Sequence, residues 1–176
     1  MQVRLDKRAR IIADGGQAYP VDLLRDHTLV QVRQKYTDDT GELTLAPGEE
    51  TTDEVTVGGR VVFVRNTGKL CFASLQDGFT ETSNGERLQI MLSKAEVGDE
   101  SLAAWKSDVD LGDHVWVRGR VVVSRRGELS IMAAEWRLAS KALRPLPTLH
   151  KELSEESRVR RRYADLVVRE ESCQMV

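Results

Sequence analysis

Val55-Thr-Val-Gly-Gly-Arg-Val-Val-Phe-Val-Arg65 is rich in β-branched residues and leads into the turn Asn66-Thr67-Gly68, which together indicate a strand that enters a hairpin. Further strands are indicated at residues 69–75, 87–92, 113–124 and 128–138. A helix is predicted at 99–106, between the third and fourth strands. Three strands, a helix and two strands is the order of the five-stranded OB barrel. A generic antiparallel sandwich is the alternative, and the single helix between strands three and four favours the barrel.

Helices are predicted on both sides of this barrel. Residues 3–14 carry apolar side chains at helical spacing up to Gly15, and a second short helix is indicated around Leu29 and Val32. Residues 37–54 are polar and acidic, which indicates a loop or a disordered linker. The fold predicted is therefore β with flanking helices.

The C-terminal part of the chain differs in composition from the barrel. Pro145 and Pro147 stiffen an extended connector. Ser154 is suited to begin a basic helix that continues through Arg169. The predicted domains are an N-terminal helical extension with an acidic loop at 1–54, an OB barrel at 55–142, and a linker and helix at 143–176.

Composition excludes several classes of protein. No apolar run approaches the roughly 20 residues that span a bilayer, and the first residues have no signal-peptide core. Two cysteines and three scattered histidines do not form a disulfide framework or a zinc site. A soluble, cytoplasmic protein without a membrane or a bound metal is expected.

The charges are segregated along the chain, although the net charge is only −2. Residues 37–54 contain seven acids and no base, whereas 114–145 contain seven bases against Glu128 and Glu135. A locally basic face can bind phosphates on a mildly acidic protein, because the field depends on where the charges lie. An ordinary solvated strand surface explains the same pattern equally well.

Strand alternation indicates a binding face. Cys71 and Leu75 are predicted to face the barrel interior, which turns Phe72 outward. The same alternation along 88–92 turns Gln89 outward. Single-stranded nucleic acid lies on this outer face of OB barrels, where aromatic side chains stack on bases and amides hydrogen-bond to base edges. The alternative is that the N-terminal helix covers Phe72, which would then be an ordinary core residue.

Longer strings carry a resemblance to a known family. Val57-Gly-Gly-Arg-Val-Val-Phe-Val-Arg-Asn-Thr-Gly-Lys-Leu-Cys-Phe72, with Leu75-Gln-Asp77 and Leu88-Gln-Ile90, resembles the anticodon-binding barrel of the class II aminoacyl-tRNA synthetases for lysine, aspartate and asparagine. Four further strings resemble the bacterial-type lysyl-tRNA synthetases: Asp110-Leu-Gly-Asp113, Arg125-Arg-Gly-Glu-Leu-Ser130, Lys141-Ala-Leu-Arg-Pro-Leu-Pro147 and Glu155-Glu-Ser-Arg-Val-Arg-Arg-Arg-Tyr-Ala-Asp-Leu166. The resemblance covers nearly the whole chain except the loops 37–54 and 78–86.

The resemblance implies roles for individual residues. Phe72 would stack on the central uridine of the lysine anticodon, and Gln89 would hydrogen-bond to its edge. Arg65 would contact anticodon bases or phosphates, and Glu128 would hydrogen-bond to a base on the wobble side. Candidate phosphate contacts are Lys69, Arg118, Arg120, Arg125 and Arg126.

The resemblance also implies partners and limits. The expected partner is the tRNA for lysine, and the full enzyme would be a homodimer that uses ATP and magnesium in a catalytic domain beginning within 143–176. This chain itself is expected to lack catalytic residues, cofactor and metal, and to be a monomer or a weak dimer. The alternatives are a freestanding OB protein that binds single-stranded nucleic acid, the aspartyl or asparaginyl relative, and an anion-binding or protein-interaction barrel.

Overall fold

The computed structural model describes residues 1–80, 83–146 and 154–168. Its helices are α1 (Gln2–Ala13), α2 (Leu29–Lys35), α3 (Lys94–Val97), α4 (Asp99–Asp108), α5 (Glu155–Arg160) and α6 (Arg162–Val168). Its strands are β1 (Glu50–Thr67), β2 (Leu70–Gln76), β3 (Phe79–Thr80), β4 (Ser83–Asn84), β5 (Arg87–Ser93), β6 (His114–Val123) and β7 (Leu129–Ser140). The prediction of a β domain with flanking helices is confirmed.

Five of the strands form a closed barrel in the order β1-β2-β5-β7-β6. The long strand β1 pairs with β6 from Glu50 to Arg60 and with β2 from Arg60 to Thr67, so one strand serves both neighbours. The barrel closes through a parallel pairing of β5 with β7, while the other neighbours are antiparallel. The short strands β3 and β4 form a separate two-stranded sheet. This is the predicted OB topology rather than a sandwich.

Alternating side chains fill the barrel as the sequence predicts. Cys71, Ala73 and Leu75 on β2 are buried, as are the corresponding apolar residues of β5. Helix α2 adds Leu29 to this core, and α4 adds Trp105, whose ring contacts that of Trp136 edge-to-face at 5.1 Å between centroids. Each such fully buried side chain contributes about 1.5–3 kcal/mol from the hydrophobic effect.

Residues 37–49 lie in turns and loops, as the sequence predicts, whereas the last part of the predicted loop at 37–54 belongs to a strand. Strand β1 already begins at Glu50, and Glu50 and Glu54 form ion pairs with Arg120 and Arg118 of β6 at 3.1 and 3.6 Å. The oxygen Oδ1 of Asp38 accepts hydrogen bonds from two backbone amides and thereby closes a turn. Ion pairs across the strands therefore replace the apolar side chains by which strands are usually detected in a sequence.

The predicted C-terminal helix is interrupted. A turn at Arg161 separates α5 from α6, so the single helix predicted from Ser154 is wrong in this detail. Arg169, where that helix was predicted to end, and Pro147 in the predicted linker lie outside the described residues. Among the described residues, no helix is long and apolar enough to cross a membrane.

A buried ion cluster joins the end of β7 to the barrel and to α1. We call it the Lys141 cluster, and it comprises Lys7, Asp108, Asp110, Asp113 and Lys141. The fully buried ammonium of Lys141 lies 2.6 Å from Asp113 Oδ2, Asp110 Oδ2 and the backbone oxygen of Asp108. Lys7 of α1 contacts Asp110 at 2.7 Å. Burial raises the pKa of Asp110, but the hydrogen bonds from Lys141 and Lys7 outweigh it and hold the pKa below its ordinary value.

Candidate nucleic-acid interface

A β-bulge at Val62 determines which side chains of β1 point away from the core. Val61 pairs with Leu75 and Phe63 pairs with Ser74, so Val62 is an extra residue in β1. Both valines are buried, and the residues after them change phase: Phe63 is 53% exposed and Val64 packs against the core. Bulges commonly redirect side chains in this way beside functional sites.

The bulge brings Arg65 onto the same face as Phe72. These two residues are direct partners in the pairing of β1 with β2, and Phe72 is paired with Met91 on β5. Directly opposed residues point to the same side of a sheet. Phe72 is half-buried there and Arg65 is exposed. We call this surface the outer face, and it is formed by Phe63, Arg65, Phe72, Gln89 and Met91.

Gln89 is held in a defined orientation on the outer face. Its Nε2 donates to the hydroxyl of Ser130 at 2.8 Å, and that hydroxyl donates to the backbone oxygen of Glu128 at 2.9 Å. Ser130 is fully buried, so this hydrogen bond fixes the orientation of the Gln89 amide from the side of the barrel interior. The carbonyl oxygen Oε1 of Gln89 has no hydrogen-bond partner among the described residues. It can therefore accept a hydrogen bond from the N–H of a base, such as the N3–H of uracil.

Glu128 lies in the turn between β6 and β7, at the end of this hydrogen-bonded chain. Its carboxylate is about half exposed and lies 3.9 Å from Nη2 of Arg33 in α2. Arg33 also contacts Glu86 at 2.6 Å and donates to the backbone oxygen of Arg87 at 2.6 Å. Helix α2 therefore connects the start of β5 to the turn that carries Glu128, and it places a positive charge beside this exposed acceptor.

The five predicted phosphate contacts divide into two groups. Lys69, Arg125 and Arg126 lie in hairpin turns, are exposed, and have no carboxylate partner in the part of the chain that the structure describes. Arg118 and Arg120 lie on β6 and are engaged in ion pairs with acids of neighbouring elements. These two arginines are not on the outer face, because β6 is adjacent to neither β2 nor β5, and carboxylates of β1, α3 and β7 already balance their charge.

The pairing of Arg120 is strong enough to perturb its partner. Its guanidinium donates to both carboxylate oxygens of Glu96 at 2.9 and 3.1 Å. These hydrogen bonds hold the pKa of Glu96 below its ordinary value. Such a bidentate pair would have to be broken before Arg120 could contact a phosphate.

The outer face and the turn that carries Glu128 together offer three kinds of contact to a ligand. Phe72 provides an aromatic surface, Gln89 and Glu128 provide hydrogen-bond acceptors, and Arg65 provides a positive charge with several donors. This combination suits an unstacked base with its phosphate. Among the described residues, no cluster of three or more His, Cys, Asp or Glu side chains could hold a metal ion.

Sequence reasoning missed three residues of this interface. The outward position of Phe63 could not be predicted, because Val61 to Val64 is an apolar run without alternation and only the bulge turns Phe63 outward. Ser130 was recognised as part of a family string but not as the group that orients Gln89. Arg33 lies far from Glu128 in sequence, and no local signal connects the two.

Comparison with known proteins gives matches for the barrel and for nearly the whole chain. Residues 55–139 match the tRNA anticodon family model, described as an OB-fold nucleic acid binding domain. The chain is 59% identical to a lysine–tRNA ligase of Kineococcus radiotolerans and 56% identical to one of Mycolicibacterium gilvum. It is 38% identical to a lysine–tRNA ligase of Dechloromonas aromatica. Each match covers 97% of this chain and 32% of the relative.

The barrel is therefore an OB-fold nucleic acid binding domain. Over 97% of its length the chain is similar to lysine–tRNA ligases, and it spans about a third of the length of the curated relatives that it matches.

Proposed function

We propose that this chain binds the anticodon loop of the tRNA for lysine, as the anticodon-binding part of a lysine–tRNA ligase. The observation that carries the proposal is the convergence of Arg65, Phe72 and Gln89 on one outer face of the barrel. These three residues come from β1, β2 and β5, and the bulge at Val62 is needed to turn Arg65 to the outer face.

Each residue has a separate task in this proposal. Phe72 stacks on the central base of the anticodon, which supplies affinity without selecting a base. Gln89 presents Oε1 to the N3–H of a uridine, whereas a cytidine at the same position has an unprotonated N3 that would repel it. Glu128 accepts from a base on the wobble side, and Arg65 contacts a base or its phosphate.

The exposed cations would contact the RNA backbone. Lys69 lies in the turn after Arg65, while Arg125 and Arg126 lie in the turn that carries Glu128. Their charges are available to phosphates, because they have no carboxylate partners among the described residues. Arg118 and Arg120 have no part in this contact, since their guanidinium groups are already paired.

For the full-length protein, we propose the ATP-dependent attachment of lysine to its tRNA, in the cytoplasm and as a homodimer. ATP and magnesium would be bound in the part of the full-length protein outside this chain, as the family resemblance implies. The chain alone is proposed to bind RNA without catalysing aminoacylation, and to be a monomer or a weak dimer.

The proposal is tested by fluorescence anisotropy with labelled anticodon stem-loops of the tRNAs for lysine, aspartate and asparagine. A lysine stem-loop whose central uridine is replaced by cytidine serves as the matched control. The chain should bind the lysine stem-loop most tightly and the cytidine variant more weakly. Equal affinity for all four stem-loops would contradict anticodon recognition and favour a general single-strand-binding protein.

A further inference from the structure

Phe63 is an exposed aromatic residue on the outer face that the roles above leave unused. Its side chain is 53% exposed, although single exposed hydrophobic residues are common and by themselves mean little. The position of Phe63 distinguishes it from the other exposed apolar residues. It lies two residues before Arg65 on β1 and points to the same side of the sheet.

The pairing of β1 with β2 makes Phe63 a diagonal neighbour of Phe72. Phe63 pairs with Ser74, and Arg65 pairs with Phe72. Diagonal neighbours on one face of an antiparallel pair lie about 7–8 Å apart, within reach of aromatic side chains. Phe63, Arg65 and Phe72 therefore occupy adjacent positions on one face, with Arg65 two residues from Phe63 on β1 and directly opposite Phe72 on β2.

The bulge at Val62 creates this arrangement. With regular alternation from Val61, Phe63 would point into the barrel together with Arg65. The extra residue keeps both valines buried and places the aromatic ring in water. Exposing a large apolar side chain forgoes the stabilisation that its burial would give, so a bound partner that covers Phe63 would recover part of it.

We propose that Phe63 is a second base-stacking residue, which binds an unpaired base of the anticodon loop next to the base that stacks on Phe72. This inference rests on the proposed function, because it takes the occupant of the outer face to be a single-stranded RNA loop. Two features favour RNA over an apolar protein surface. Arg65 is adjacent to both aromatic residues on this face, and Lys69 is exposed in the turn that follows, so the surface combines aromatic area with positive charge.

Stacking requires a planar ring, and this sets the choice of variants. Phe63→Leu keeps an apolar side chain of similar size but removes the flat π surface. Phe63→Tyr keeps the ring. Leu24→Ala is the matched control, because Leu24 is 85% exposed in a loop away from the outer face. Phe63 has little burial to lose, so all these variants should fold, and circular dichroism checks this.

The experiment measures the affinity of the 176-residue chain and its variants for the lysine anticodon stem-loop, intact or with one loop nucleotide at a time made abasic. Phe63→Leu should bind the intact loop about five- to tenfold more weakly, the lower end of the usual loss per stacked base, because leucine keeps part of the apolar contact. Phe63→Tyr and Leu24→Ala should bind like the unmodified chain. Removal of one particular base should abolish the difference between Phe63→Leu and the unmodified chain, and that base should differ from the one whose loss abolishes the effect of Phe72→Ala.

The outcomes separate this inference from the proposed function. If the unmodified chain binds and Phe72→Ala weakens binding while Phe63→Leu does not, the second stacking site is refuted and the anticodon-binding function stands. If Phe63→Leu weakens binding equally for every abasic loop, Phe63 has no single base partner and the inference is also refuted. If the unmodified chain fails to bind any stem-loop, the proposed function itself is overturned.

Discussion

The outer face and the Lys141 cluster are both rich in polar groups, but they differ in how those groups are satisfied. In the cluster, the ammonium of Lys141 makes three contacts at 2.6 Å and is fully buried. On the outer face, Gln89 uses its donor on Ser130 and leaves its acceptor open. Polar groups that satisfy one another hold the chain together, whereas groups with open donors or acceptors are available to a ligand.

This difference also separates two kinds of family string. Asp110-Leu-Gly-Asp113 and the string that begins at Lys141 resemble the family as strongly as the string that contains Phe72. Asp110 and Asp113 of the first string and Lys141 of the second belong to the Lys141 cluster, where Asp113 Oδ1 also accepts from the backbone N–H of Ala142 at 2.8 Å. These residues connect the end of β7 to the barrel and to α1, and they are not part of the outer face.

The largest effect is expected from Lys141→Met, which removes the buried cation and leaves the fully buried carboxylate of Asp113 without its partner. Removing one member of a buried ion pair typically costs about 3–5 kcal/mol. Urea unfolding followed by tryptophan fluorescence measures this loss. Lys69→Met, at an exposed lysine without an ion pair, is the control and should change the stability little. Equal unfolding midpoints for the two variants would contradict the structural role of the cluster.

Phe72→Ala should show the opposite pattern. The loss of a stacked base weakens binding of the lysine stem-loop by about 1–3 kcal/mol. The fold should survive, because Phe72 is only half-buried and lies outside the barrel core. Anisotropy and urea unfolding on the same sample test both parts. If Phe72→Ala loses as much stability as Lys141→Met but keeps its RNA affinity, Phe72 is a core residue and the stacking role is wrong.

Gln89→Ala should reduce base discrimination more than affinity. The preference for uridine over cytidine at the central position should fall by about 0.5–1.5 kcal/mol, the usual net contribution of one hydrogen bond. Gln34→Ala, at an exposed amide in α2, is the matched control. Anisotropy with the lysine stem-loop and its cytidine variant measures this preference. An unchanged preference would mean that Gln89 does not recognise the central base.

The smallest effect is expected from the exposed cations. Arg126→Ala should lower the slope of log Kd against log salt by about 0.7, the value for one phosphate contact with a single strand. Arg118→Ala should leave the slope unchanged, because Arg118 is already paired with Glu135 at 3.0 Å. Titrations at several salt concentrations test this. The reverse result would mean that the ion pairs of β6 open when RNA binds.

Much of the barrel could be predicted from the sequence because period-two alternation survives wherever one face is buried. It placed Cys71 and Leu75 inside and Phe72 and Gln89 outside. The first residues of β1 could not be predicted as a strand, because ion pairs of Glu50 and Glu54 with β6, rather than apolar side chains, connect them to the neighbouring strand. The break between α5 and α6 could not be predicted either, because the sequence at Arg161 contains no glycine or proline.

The candidate site could be predicted only in part, for similar physical reasons. The family resemblance supplied Arg65, Phe72, Gln89 and Glu128, but residue type alone could not separate paired from unpaired arginines. That distinction depends on which carboxylates lie across the sheet. The outward position of Phe63 depends on one extra residue in β1, and a bulge inside an apolar run leaves no periodic trace in the sequence.

The most direct test of the central claim is an NMR titration of the isotope-labelled chain with the lysine anticodon stem-loop. We expect the largest chemical-shift changes at Arg65, Phe72 and Gln89 and in the turn that carries Glu128. The amides around Lys141 and Asp113 should change little. Shift changes centred on the Lys141 cluster or on the β6 arginines, with the outer face unaffected, would contradict the account.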